Sequence, residues 1–293
     1  MVKILLIGAD GQLGQEVLNQ LNALADLEVT PTTIASLDIT DAYQLEKRIL
    51  SDHFNYLINC SAYTAVDKAE TEINMAETIN TKAVQTIGGL AAQQRTKVIH
   101  VSTDYVFDGK AYLPYTEDAP THPESIYGKT KLQGEQKLLN SNPQSMIIRT
   151  SWLYSKNGNN FVKTMLHLGK ERDALNVVAD QIGTPTYAND LAQLICHIIN
   201  TDMSDQISFK PGIYHYSNEG VASWYDFAIN IFQNANINCQ VKPIASQEFP
   251  TAAPRPHYSV LNKAKIKNTY QIEIPHWQTS LKKCLSTMNN TDN

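Results

Sequence analysis

Val2-Lys3-Ile4-Leu5-Leu6-Ile7-Gly8-Ala9-Asp10-Gly11-Gln12-Leu13-Gly14 begins as a short, nearly continuous apolar run and breaks into three glycines. Such a run suits a strand buried on both faces of a parallel sheet. Val17, Leu18, Leu21 and Leu24 then recur at helical spacing. Strand, glycine turn and helix are the context that gives a glycine motif meaning. Gly8 allows a tight turn, Gly11 lets the backbone approach a pyrophosphate at the helix N-terminus, and Gly14 permits close helix–strand packing. The spacing is Gly-x-x-Gly-x-x-Gly, not the Gly-x-Gly-x-x-Gly of many dehydrogenases. The reading is a dinucleotide-binding turn, against an ordinary tight strand–helix connection.

The βα rhythm continues. Residues 27–30 read as a second strand, 56–60 as a third, 97–101 as a fourth and 146–149 as another buried strand. Residues 74–94 read as one long amphipathic helix. Asp38 is the nearest candidate to grip an adenosine ribose; it equally suits a cap for a helix beginning near Asp41. No arginine lies between Thr30 and Tyr43 to hold a 2′-phosphate, so NADH and NADPH both stay open. His100 reads as a satisfied core histidine. Beyond residue 150 the rhythm weakens. Helices are expected over 160–172, 188–200, 224–233 and 277–285, a strand over 212–216, turns over 177–186 and a rigid loop over 253–258.

A second stretch carries the chemistry. In Ser125-Ile126-Tyr127-Gly128-Lys129-Thr130-Lys131, Tyr127 and Lys131 are one helical turn apart on one face, with Gly134 and Leu138 on the same stripe. Gly134 would let that stripe approach another backbone. A free phenol has a pKa of about 10, and bringing it to about 7 takes roughly 4 kcal/mol of differential stabilisation. A nearby ammonium supplies part of that. The pair therefore suits protonation of an alkoxide forming from a ketone. Ser102-Thr103-Asp104 follows the fourth strand, where an open α/β sheet binds ligands. Thr103 suits a hydrogen bond to a substrate carbonyl that also orients Tyr127, against a helix-cap or turn role for either hydroxyl.

Composition excludes other classes. Among 293 residues, 42% are hydrophobic and 18% charged, which reads as globular. A net charge of −5 without a basic run argues against nucleic-acid binding. No apolar stretch is long enough to span a bilayer, and the N-terminal run is too short for a signal sequence. Four scattered cysteines (Cys60, Cys196, Cys239, Cys284) read as reduced thiols in a cytoplasmic protein. Residues 289–293 read as a frayed tail.

Together the glycine turn, Ser102-Thr103-Asp104 and Tyr127-x-x-x-Lys131 resemble the extended short-chain dehydrogenase/reductases. More specific blocks are similar to the dTDP-4-dehydrorhamnose reductase family, in order along nearly the whole chain. They are Gly11-Gln12-Leu13-Gly14, Ala62-Tyr63-Thr64-Ala65-Val66-Asp67-Lys68-Ala69-Glu70, Ser102 through Gly109, Tyr127 through Leu132, Arg149-Thr150-Ser151-Trp152-Leu153-Tyr154, Gly158-Asn159-Asn160-Phe161, Asp180 through Thr186 and Arg255-Pro256.

The resemblance implies reduction by NADPH or NADH of the C4 ketone of dTDP-6-deoxy-L-lyxo-4-hexulose to dTDP-L-rhamnose. It implies Tyr127 as proton donor, Lys131 lowering its pKa and holding the nicotinamide ribose, and Thr103 at the carbonyl. Thr103, Asp104 and Trp152 would touch the sugar nucleotide. Gly8, Gly11, Gln12, Leu13, Asp38, Ile39, Ala62, Tyr63 and Thr64 would line the dinucleotide, with Tyr127 and Lys131. Some members hold Mg²⁺ at a dimer interface through glutamates. Glu16 matches one, but Asn189 stands where another would be and the polar tail offers no clear carboxylate. No metal is assigned, and a monomer or homodimer is expected.

The fold expected is α/β: a doubly wound parallel sheet (Rossmann) with a smaller α/β substrate-binding domain from C-terminal segments. Residues 1–152 with 187–216 would form the dinucleotide-binding domain, and 153–186 with 217–293 the substrate-binding domain. The competing readings are a reductase or epimerase of another nucleotide sugar, and a non-catalytic regulatory subunit resembling methionine adenosyltransferase β.

Overall fold

The computed structural model describes residues 1–289. The expected frayed tail lies, beyond Asn289, outside the described residues. The elements in order are β1 Val2–Ile7, α1 Gln12–Leu21, β2 Leu27–Thr32, α2 Ala42–Leu50, β3 Tyr56–Asn59, α3 Val66–Ala69, α4 Ile73–Glu77, α5 Ala83–Gln93 and β4 Lys97–Thr103. They continue with α6 Ile126–Ser141, β5 Ser145–Thr150, β6 Leu153–Tyr154, α7 Phe161–Glu171, β7 Ala174–Val178, β8 Ile182–Gly183, β9 Thr186–Tyr187 and α8 Ala188–Met203. The last are β10 Gly212–His215, β11 Ala222–Ser223, α9 Trp224–Ala235, β12 Gln240–Ile244, α10 Ala264–Tyr270 and α11 Trp277–Asn289.

Six strands form one parallel sheet in the order β10-β5-β4-β3-β1-β2. After β2 the chain returns to the other side of β1, so strand order reverses between β1 and β3. That reversal opens a crevice at the carboxyl ends of the strands. Alternation along β1 divides the core. Ile4 and Leu6 face the layer of α1 and α8, while Leu5 and Ile7 face that of α2, α5 and α6. All four are at most 1% exposed. Burying each stabilises the fold by about 1.5–3 kcal/mol before entropy is charged. This two-sided burial is why the strand reads as a continuous apolar run.

The C-terminal segments build a separate core. Met165 of α7, Val177 of β7, Phe227 and Ile231 of α9 and Leu281 of α11 pack with Tyr154 and Tyr187. Beside it, β7 pairs with β12 in a two-stranded parallel sheet. Val177 and Val178, expected among turns, are therefore strand residues. Their partner lies more than sixty residues downstream, beyond local pattern. Ile266 and Tyr270 of α10 pack in the core of the six-stranded sheet, although they come from the stretch expected in the C-terminal unit.

The helix expected over 74–94 is interrupted. Between α4 and α5 the turn widens to a π-helix at Thr78–Lys82. Asn80 in this turn receives the Tyr63 amide on Oδ1 at 2.9 Å and donates through Nδ2 to Thr130 Oγ1 on α6 at 3.2 Å. A Cβ on Gly134 would lie 2.0 Å from the Asn80 carbonyl oxygen. The expected close approach at Gly134 is thus made to this turn.

Candidate active site

One cleft of about 890 Å³ lies over the carboxyl ends of β1, β3, β4 and β5. The glycine turn forms its floor. Gly8 has φ +79°, and a Cβ there would lie 2.9 Å from the Ser61 amide nitrogen after β3. A Cβ on Gly14 would overlap the Gly8 carbonyl oxygen at 1.9 Å. The turn is therefore built for glycine on both sides, one for backbone conformation and one for helix–strand contact. No side chain caps Gly11 at the start of α1, which leaves first-turn N–H groups to face the cleft. Gly8, Gly11, Gln12, Leu13, Asp38, Ile39, Ala62 and Thr64 all line it. This cradle fits a dinucleotide.

Tyr63 is the expected cofactor residue that does not line the cleft. Its hydroxyl donates to Glu72 at 2.6 Å and its backbone is tied to Asn80. Asp38 lines the cleft, but its carboxylate accepts the Thr40 amide at 2.9 Å and the Thr40 hydroxyl at 2.7 Å. It does not cap α2. Asp41 does, accepting the Tyr43 and Gln44 amides at 2.9 and 3.1 Å.

The expected acid group assembles on α6 and β4. Ser125 starts α6, its hydroxyl accepting the Gly128 amide at 3.1 Å. This places Tyr127 in the first turn and Lys131 one turn on, both buried and both on the cleft. Thr103 at the end of β4 donates its hydroxyl proton to Asp104 Oδ1 at 2.9 Å. The lowering of the Tyr127 pKa expected from Lys131 is not what the fold gives: burial pushes the phenol well above its ordinary value. Thr103's hydrogen bond acts the other way, while the Asp104 and Tyr105 charges oppose ionisation. Burial lifts Asp104 to about 6, against hydrogen bonds from Thr103 and Ser259 that favour its charge. Lys131 is lowered to about 8 by burial, partly countered by Glu135. Its Nζ donates to the Val101 carbonyl at 2.7 Å.

Among the described residues, three buried polar atoms along this wall have no hydrogen-bond partner: Ser102 Oγ, Asp104 Oδ2 and Thr150 Oγ1. An unpaired buried polar group costs about 1–3 kcal/mol, so a wall of them is shaped for a polar ligand. Sequence reasoning missed Thr150. Its signal was the one used for Thr103, a hydroxyl at the carboxyl end of a central strand. Beneath the wall, Arg149 of β5 and Glu135 of α6 form a fully buried ion pair at 2.7 Å.

Trp152, Leu153, Gly158 and Asn159, at the start of the C-terminal segments, border the cleft on one side. Trp152 lines it, and at φ +47° takes a left-handed conformation unusual for a bulky residue. Gly183 leaves room for the indole, since a Cβ there would meet it at 2.6 Å. Gln12 joins the two sides: its amide donates to the Leu153 carbonyl at 3.1 Å and accepts from Asn160 at 2.8 Å. Across the rim, Arg255 pairs with Asp67 at 2.6 Å.

The chain matches the family described as RmlD substrate binding domain over residues 2–290. It is 42% identical over 289 residues to the dTDP-4-dehydrorhamnose reductase of Aggregatibacter actinomycetemcomitans, covering 96% of this chain and 98% of that one. The chain belongs to the RmlD family of dTDP-4-dehydrorhamnose reductases. Among solved members, the reductase from Clostridium acetobutylicum superposes with a TM-score of 0.93 at 42% identity, covering 98% of this chain and all of that one. The Bacillus anthracis reductase, solved in complex with NADP, gives 0.92 at 38% identity, covering 98% of this chain and 100% of that one.

Glu16, the residue that matches a metal-binding glutamate of some RmlD reductases, accepts hydrogen bonds from Asn157 at 3.3 Å and Asn189 at 3.1 Å. Among the described residues, no group of three or more His, Cys, Asp and Glu is placed to hold a metal ion. Nor, among them, is any helix long and apolar enough to cross a membrane.

Proposed function

We propose that this chain reduces the C4 ketone of dTDP-4-dehydro-6-deoxy-L-mannose with NAD(P)H, giving dTDP-L-rhamnose, and that Tyr127 is the proton donor. The observation that carries the residue assignment is that Tyr127, Thr103 and Asp104 are buried together, Thr103 bonded to Asp104, in the same cleft as the glycine cradle.

The nicotinamide cofactor, when bound, supplies the hydride to C4. The protein does the rest. Thr103 orients the carbonyl oxygen, and Tyr127 gives its phenolic proton to that oxygen as negative charge grows there. The tyrosine is left as phenolate, and the Lys131 ammonium offsets that charge one turn away. Ser102, Asp104 and Thr150 offer unpaired polar atoms to the sugar hydroxyls. Trp152 and the C-terminal segments exclude water. A monomer or homodimer is the expected assembly. A reductase drawing on nicotinamide and nucleotide-sugar pools belongs in the cytoplasm.

The test is loss of the near-ultraviolet absorbance of the reduced nicotinamide with purified protein, the dTDP-4-keto sugar, and NADH or NADPH in turn. Turnover to dTDP-L-rhamnose supports the assignment. Turnover only with a different dTDP-4-keto sugar replaces the substrate and leaves the reaction class. Dinucleotide binding with no turnover on any sugar leaves a binding subunit.

A further inference from the structure

Lys131 Nζ has a second neighbour besides the Val101 carbonyl: His100 Nε2, at 3.3 Å. His100 lies on β4 and is wholly buried. Its other ring nitrogen, Nδ1, is 3.1 Å from Asn59 Nδ2 at the end of β3. Which ring nitrogen carries the proton follows from Asn59. The Ser61 backbone N–H, which can only donate, reaches the far atom of the Asn59 amide at 3.0 Å. That atom must be the oxygen, so the atom facing His100 is the NH₂, which also can only donate. His100 Nδ1 therefore accepts. Burial and the Lys131 charge both hold the ring neutral, its pKa well below the ordinary histidine value. The single ring proton is then on Nε2, pointing at Lys131. Against an ammonium an N–H is repulsive; against the lone pair of an amine it is a hydrogen bond.

We propose that His100 is a positioning residue for Lys131: locked in the Nε2–H tautomer by Asn59 and Ser61, it favours the amine over the ammonium. The proposal rests on the reading of Tyr127 and Lys131 as the acid pair. The other groups around Lys131 do not supply this bias. Glu135, on the same helix, favours the ammonium and is itself held by Arg149 of β5. Cys60, beyond β3, stays a neutral thiol, pushed up to about 12 by burial. Tyr127, one turn away, is a neutral phenol for the same reason. Burial and the His100 donor together oppose the charge. Lys131 then changes charge close to neutral pH, where a proton given up or regained costs little.

The test reads the tautomer first. Long-range ¹H–¹⁵N correlation on the full-length ¹⁵N-labelled protein, with His100 assigned by its loss in His100→Gln, should show a neutral ring protonated on Nε2 through the neutral range. A ring protonated on Nδ1, or an imidazolium, overturns the proposal. The second reading is the alkaline limb of kcat/KM for the sugar at saturating cofactor. Asn59→Asp keeps the acceptor for Ser61 but faces Nδ1 with an acceptor, moving the ring proton to Nδ1 and turning the Nε2 lone pair to Lys131. The limb should move upward by about one pH unit or more, and His100→Gln, whose amide can turn its oxygen to the ammonium, should move it the same way. Limbs unmoved in both variants overturn the proposal. The tautomer is read in the resting protein, so it stands or falls apart from Tyr127. Failure of the acid reading would appear separately, as normal turnover in Tyr127→Phe.

Discussion

The indole of Trp152 lies flat on that of Trp224, with ring centroids 3.6 Å apart and planes 9° from parallel. Trp152 follows the last central strand before the C-terminal segments; Trp224 begins α9 of the other core. The stack therefore holds the cleft wall to the segments that cover it. Such a pair contributes about 0.5–1.5 kcal/mol beyond its buried area. Trp224→Ala should raise KM for the nucleotide sugar roughly three- to tenfold, with dinucleotide affinity unchanged. Steady-state kinetics beside a dinucleotide titration checks this. A change confined to dinucleotide affinity would place the stack elsewhere in the working cycle.

Tyr127→Phe keeps the ring and removes only the proton donor. Turnover should fall roughly a hundred- to ten-thousand-fold, the usual contribution of a positioned general acid. Dinucleotide binding should persist, because the glycine cradle is untouched. Single-turnover kinetics and fluorescence titration separate the two effects.

The acid pair also sets a pH dependence. Lys131 is lowered to about 8, chiefly by burial. Below that value it is an ammonium, the form its proposed role beside Tyr127 requires; above it the charge is lost. The kcat/KM of the reductase should therefore be high on the acid side of about 8 and fall on the alkaline side. A profile still flat near the ordinary lysine value of 10.5 would contradict this.

Asp104 should leave a trace in stability. Burial raises it from 3.8 to about 6, so the folded protein binds its proton more tightly than the unfolded chain does. The stabilisation this gives is complete below 3.8 and is lost as pH rises through about 6. The difference amounts to about 3 kcal/mol at 1.36 kcal/mol per unit. Asp104→Asn, which never ionises, should therefore gain stability relative to the parent as pH is raised from 3.8 to about 6. Denaturant unfolding of both proteins below 3.8 and above about 6, without ligand, measures it. A constant difference would show that the carboxyl finds partners when charged.

Much of this protein is written locally. Val2 through Gly14 states strand, turn and helix because its periodicities and its glycines are short-range constraints. Ser125 caps the helix that puts Tyr127 and Lys131 on one face, and that too is local. The sequence by itself thus determined the sheet, the glycine cradle and the placing of Tyr127 and Lys131 on one helix face. Other features needed the tertiary structure. The pairing of β7 with β12 depends on a strand far downstream. The π-turn at Thr78–Lys82 answers to Gly134 and Thr130 on another helix. Tyr63 sits in a block that reads as cofactor-binding, yet its hydroxyl is turned to Glu72. His100 reads as a core residue and is one, but only the fold sets its ring between Asn59 and Lys131. Local propensity and spacing are carried along the chain. Which buried polar atoms meet, and which of them holds the proton, is decided where distant segments close on one another.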